Sequence, residues 1–124
     1  MISKLLVLAA SAAILAGCAT VPTASTDQWS GFGEATRAGR VVVEPRELIE
    51  DSRCPMNARC VWAGRVTIDT TVWVDRQKYP VKLTLGEPYP IAGGQLILDS
   101  VMPPRETQQG EIPREDYRFH FDFQ

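Results

Sequence analysis

Histidine is almost missing from this chain: His120 is the only one in 124 residues. Any Ser-His-Asp or Cys-His arrangement would have to pass through that residue, yet no serine stands in a Gly-x-Ser-x-Gly elbow. Excess positive charge is missing too. Thirteen Lys and Arg against 15 Asp and Glu give a formal charge of -2, which provides no surface for gripping phosphates and argues against a nucleic-acid partner. Paired catalytic acids are not visible, because Glu50-Asp51 and Glu115-Asp116 are sequence neighbours and in a strand would point to opposite faces. Gly93-Gly94 lacks the lysine and the following helix of a phosphate loop, and reads as hairpin punctuation. The length allows one modest domain. These gaps leave binding or structural work as the expectation, with no catalytic residue and no cofactor.

The N-terminus is the most informative stretch present. Lys4 precedes an uncharged run from Leu5 to Leu15, too short for the roughly 20 apolar residues of a spanning helix, so it reads as the apolar region of a secretory signal. The segment ends in Leu15-Ala16-Gly17-Cys18, which resembles the bacterial lipobox. That resemblance implies a diacylglycerol on the Cys18 sulfur, cleavage before Cys18, and acylation, as by palmitate, of the new amino terminus. Each buried acyl methylene contributes about 0.8 kcal/mol, so two or three chains would hold a domain on a membrane. Ala19, where an Asp could stand, resembles lipoproteins sent to the outer membrane. The chain divides on this reading into a signal at 1–17, a lipidated end and flexible tether at 18–30, and one domain at 31–124. Cleavage removes only Lys4 from the charges, leaving 12 basic and 15 acidic residues.

With Cys18 used by lipid, Cys54 and Cys60 remain as a pair in an oxidising compartment, and a structural disulfide follows. Closing a seven-residue loop stabilises by ~2.4 kcal/mol in the chain-entropy picture. Zinc would need about four ligands, and only His120 and scattered carboxylates could join the thiols. A catalytic dithiol usually has two residues between its cysteines, whereas five intervene here. The alternative is a copper or thiol-redox accessory protein, for which Met56 and Met102 supply soft sulfurs beside Cys54, Cys60 and His120. Trp62, two residues after Cys60, reads as a core plug over the disulfide.

Period-two alternation dominates the remainder. Val66, Ile68, Thr70, Val72 and Val74 alternate with polar neighbours and predict the longest strand. Tyr79, Val81, Leu83 and Leu85 repeat the pattern after Asp75-Arg76-Gln77, which predicts a hairpin. Val41 to Val43 and Leu48-Ile49 predict one or two short strands. Gln95 to Leu98, apolar on both faces, predicts a central one, and Tyr117, Phe119, Phe121 and Phe123 predict a closing aromatic strand. Six or seven short strands with Pro and Gly between them predict an all-β domain, a small antiparallel β-sandwich or partly open barrel with one disulfide.

The residues Asp51-Ser52-Arg53-Cys54-Pro55, Cys60, Trp62, Gly64 and Tyr117 resemble a group of small secreted bacterial proteins and lipoproteins over roughly residues 30 to 124. The resemblance implies an all-β fold and a disulfide, and carries no activity with it. The function expected is that of a non-enzymatic envelope lipoprotein, anchored to the membrane by its lipid, that binds or braces an envelope protein or the cell wall. Trp73 is out of place on the polar side of the longest strand, beside Arg65 and Asp69. These three are the candidate partner-binding residues, with Trp73 as an exposed anchor unless the tether or the segment around Trp29 and Phe32 folds over it.

Overall fold

A computed structural model describes residues 20–56, 58–106 and 110–124. Cys18 and the signal lie outside the described residues. Eight strands form two four-stranded antiparallel sheets that do not close into a barrel. The first sheet is ordered β2 (Thr36–Ala38), β3 (Val41–Asp51), β4 (Val66–Val74), β5 (Gln77–Thr84). The second is ordered β1 (Trp29–Ser30), β8 (Arg118–Phe123), β7 (Gly94–Met102), β6 (Tyr89–Ile91). The architecture is the sandwich that the alternation predicts. Val66, Ile68 and Val72 of β4 and Val81 and Leu83 of β5 face Leu96, Leu98 and Val101 of β7 and Phe119 and Phe121 of β8 in one buried cluster. Thr70 sits among them because its hydroxyl donates to the Val81 carbonyl at 2.7 Å, which removes the cost of burying it.

Two expectations change in detail. Val41–Val43 and Leu48-Ile49 belong to one 11-residue strand, interrupted by register shifts between Pro45 and Glu47 and between Leu48 and Glu50. These are one-residue bulges, and they alter which residues of β3 meet β4. The tether is also shorter than expected. Ser25 is bridged to Thr36, and Trp29–Ser30 pairs with β8 opposite His120 and Phe119. The backbone N–H of Trp29 and the Ser25 hydroxyl both donate to the Asp27 carboxylate, so the chain is structural from Ser25 onward.

Phe32 docks edge-on against both Tyr117 and Phe119, at ring separations of 5.8 and 5.0 Å. It closes the Tyr117 end of the core from the side. Arg114, in the 3-10 turn Arg114–Asp116, lies 4.3 Å over the Phe32 ring and donates to the Arg46 carbonyl, which ties the turn to β3.

Candidate interaction surface at the disulfide end

The end of the sandwich where β3 stops is built from the residues of the Asp51-to-Pro55 motif. Asp51 pairs with Val66, so its side chain points to the inner face, where only 6% of it is exposed. A carboxylate there needs partners, and two residues supply them. Arg53 approaches in a fork, Nε to Oδ1 and Nη2 to Oδ2, both at 2.9 Å, and the Tyr117 hydroxyl donates to Oδ2 at 2.7 Å. The same guanidinium donates to the carbonyls of Val101 and Pro103, and Arg105 donates to the Asp51 carbonyl. Burial pushes the Asp51 carboxyl up. The hydrogen bonds from Arg53 and Tyr117, with the Arg53 charge, outweigh burial and hold it below the usual carboxylate range. Burial, then the neighbouring Asp51, pushes the Tyr117 hydroxyl up to about 12.

This cluster fastens the root of the disulfide loop. Cys54 and Cys60 are joined, with Cα atoms 5.9 Å apart, as expected. Past the bridge the chain returns to β4 through Gly64, whose φ is +66°. A Cβ on Gly64 would overlap the Ser52 carbonyl oxygen, so the close approach and the left-handed backbone both demand glycine. Ser52 and Arg65 then exchange bonds: the Ser52 N–H donates to the Arg65 carbonyl and the Arg65 N–H to the Ser52 hydroxyl. The Met56 N–H donates to the Arg105 carbonyl, so the loop also leans on the chain leaving β7.

On this fastened base the loop presents apolar side chains to solvent. Val61 is 98% exposed, Met56 72% and Trp62 59%. Trp62 therefore corrects the expectation of a core plug. Its indole N–H donates to the Ser52 carbonyl at 3.3 Å while the ring stays outside, because the inner space is occupied by Asp51, Arg53 and Tyr117. Leu48, Ile49 and Met102 are exposed at the same end, so six of the eight exposed large hydrophobics among the described residues gather there. Monomeric domains scatter such residues; a gathering of them marks an interaction site. Beside the loop a groove runs along β3, in two cavities of about 250 and 560 Å³. Leu48, Glu111, Ile112 and Tyr117 line both of them.

The chain matches no known family model, no curated protein and no solved structure. The surface is therefore read from its own chemistry.

The residues expected to bind a partner do not assemble. Trp73 is only 7% exposed, flanked by Val42 of β3 at 3%, and lies outside the main core cluster. That corrects its reading as an exposed anchor. Of the aromatic residues in the segment expected to cover it, Trp29 lies tilted against His120 at 5.0 Å and Phe32 packs on Tyr117 and Phe119. Its buried indole N–H has no hydrogen-bond partner among the described residues. Arg65 precedes β4 and pairs with Glu50 at 2.5 Å, while Asp69 lies mid-strand opposite Lys82. Arg65 and Trp73 are eight residues apart along an extended chain, roughly 26 Å, too far to share one contact.

Three of the five candidate metal ligands already have partners. Cys54 and Cys60 are bonded to each other, and His120 holds Asp99 through Nδ1 at 2.5 Å. No group of three or more His, Cys, Asp or Glu converges among the described residues. What the sequence reading missed was the exposure of Val61 and Trp62. A signal was available, because two consecutive apolar residues between a cysteine and a left-handed glycine, in a loop with three arginines, cannot both turn inward.

Proposed function

We propose that the protein is a lipid-anchored component of the bacterial envelope whose domain works by binding, not catalysis, and that the disulfide end is its contact surface. The observation that carries this reading is the gathering of Leu48, Ile49, Met56, Val61, Trp62 and Met102 at one end of the sandwich. Exposing six large hydrophobics in water is unfavourable unless they are covered in use, and the Asp51–Arg53–Tyr117 cluster fastens the root of the loop that carries Met56, Val61 and Trp62. The anchor is supported by Leu15-Ala16-Gly17-Cys18, and Ala19 after the cysteine favours the outer membrane, with the domain facing the periplasm.

Two measurements test the reading. Labelled fatty acid should enter the wild-type protein, and Cys18→Ala should release the chain from the membrane fraction; absence of label sinks the anchor. A photo-crosslinking residue at position 61, on the loop, should give adducts in intact cells that one at position 79, on the exposed part of β5, does not. Equal yields at both positions would sink the contact surface.

A further inference from the structure

We infer that the occupant of the disulfide end is the membrane itself: the loop from Ser52 to Arg65 docks on the anionic phospholipid surface of the leaflet that carries the anchor. The inference rests on the anchored reading above and names what the contact surface meets.

Two independent observations point to it, and a third sets the distance. The first is chemical. Met56, Val61 and Trp62 are exposed on one short loop, and Trp62 has already spent its one polar hydrogen on the Ser52 carbonyl, leaving an apolar ring outside. Trp beside aliphatic side chains is the composition that enters the boundary between headgroups and acyl chains.

The second is charge. In a chain of net charge -2, residues 52–65 contain Arg53, Arg59 and Arg65 and no acid. Arg53 and Arg65 are matched by Asp51 and Glu50, whereas Arg59, at the tip between the cysteines, is in no ion pair among the described residues. Glu50, Asp51 and Glu111 line the groove, so the loop tip and not the groove has the right sign for anionic lipid.

The third is where the anchor enters. Ser25 runs parallel beside Thr36, and the chain before it, Pro22 and Thr23, shares a cavity with Glu34 and Arg118. Arg118 begins β8 and is paired with Met102, one of the exposed residues of the disulfide end. From Pro22 back to Cys18 is four residues, at most ~14 Å of chain. The same cavity takes in Glu44, in the half of β3 away from Asp51, so an acylated Cys18 keeps the domain at the bilayer without choosing between its ends. A lipid chain with a nearby cationic and apolar patch is the two-signal arrangement that makes membrane attachment firm.

The experiment uses the processed, purified protein reconstituted into vesicles of phosphatidylethanolamine and phosphatidylglycerol, with spin-labelled lipid as a shallow quencher of tryptophan. Intact mass reports acylation separately. Trp62 should be quenched, the quenching should vanish in Trp62→Phe, and phosphatidylcholine vesicles should give less of it. Arg59→Ala should lower the ratio of docked to undocked protein about fivefold, as expected for one cation near an anionic surface. An acylated protein whose tryptophan quenching is the same with and without Trp62 overturns the docking and leaves the anchor standing. Crosslinks from position 61 to protein alone would likewise overturn it, in favour of a protein partner. A protein without acyl mass overturns the anchor and the docking together.

Discussion

Replacing Arg53 by Ala tests whether the buried ion pair is what fixes the exposed loop. The change removes two bonds to the Asp51 carboxylate and two to the carbonyls of Val101 and Pro103. It leaves a carboxylate that is 94% buried with the Tyr117 hydroxyl as its remaining side-chain partner. Breaking a buried pair from one side costs 3–5 kcal/mol, and because Arg53 is 16% exposed, water can reach part of the gap; a loss of about 3 kcal/mol is expected. Denaturant unfolding followed by tryptophan fluorescence at neutral pH reads it. Adding Asp51→Ala should cost less than the two single losses combined, with a coupling of roughly 2 kcal/mol. The pH dependence follows from the lowered Asp51 carboxyl. The stability it contributes is present above the ordinary carboxylate pKa and is lost as pH falls through its lower folded value, so the Arg53→Ala deficit should shrink on acidification. If Arg53→Ala unfolds outright, Arg53→Lys keeps the charge without the fork and should cost about 1–2 kcal/mol. A loss under ~1 kcal/mol for Arg53→Ala, or additive single losses, would refute the role given to the pair.

Three further outcomes are expected. Gly64→Ala should destabilise by roughly 2–4 kcal/mol, from the left-handed backbone and the overlap with Ser52, and a neutral result in the same unfolding assay would remove the reason given for that glycine. Trp73→Ala should cost about 3–5 kcal/mol, as for a buried aromatic, and an unchanged melting temperature would mean that the side chain is not buried in solution. Tyr117, raised to about 12, contributes stability that is intact below the ordinary tyrosine pKa and declines as pH rises from about 10 toward 12. Tyr117→Phe should abolish that alkaline decline, and an unaltered profile would assign it to other groups.

Strong periodicity made the long elements legible. The alternation over 66–74 and 79–85 and the aromatic alternation at the C-terminus become β4, β5 and β8, and the cysteine pair becomes the disulfide. β1, β2 and β6 were not legible, since strands of two or three residues carry no period. Alternation also misled at Trp73, where an outward position in the pattern is nevertheless buried beside Val42. The Asp51–Tyr117 bond joins residues 66 apart, and nothing local to either names the other. Asp51, Arg53 and Tyr117 all belong to the motif that carries the resemblance, but only the geometry gives the reason: one buried carboxylate needs both donors.

The bulges of β3 have a consequence for how chain length can vary. From Val41 to Pro45 each residue meets the β4 residue expected for unbroken pairing, but Asp51 meets Val66 where unbroken pairing would set it against Gly64. The strand uses two residues more than the distance requires, and so draws Asp51 back by roughly 6.6 Å, over the core and within reach of Tyr117. Deleting one of the two surplus residues would remove one bulge, and deleting both would leave a regular eight-step ladder with the carboxylate still opposite Val66. Between Val41 and Asp51 the strand therefore carries two residues of slack, and its polar lock should survive a shortening that removes the bulges and nothing else.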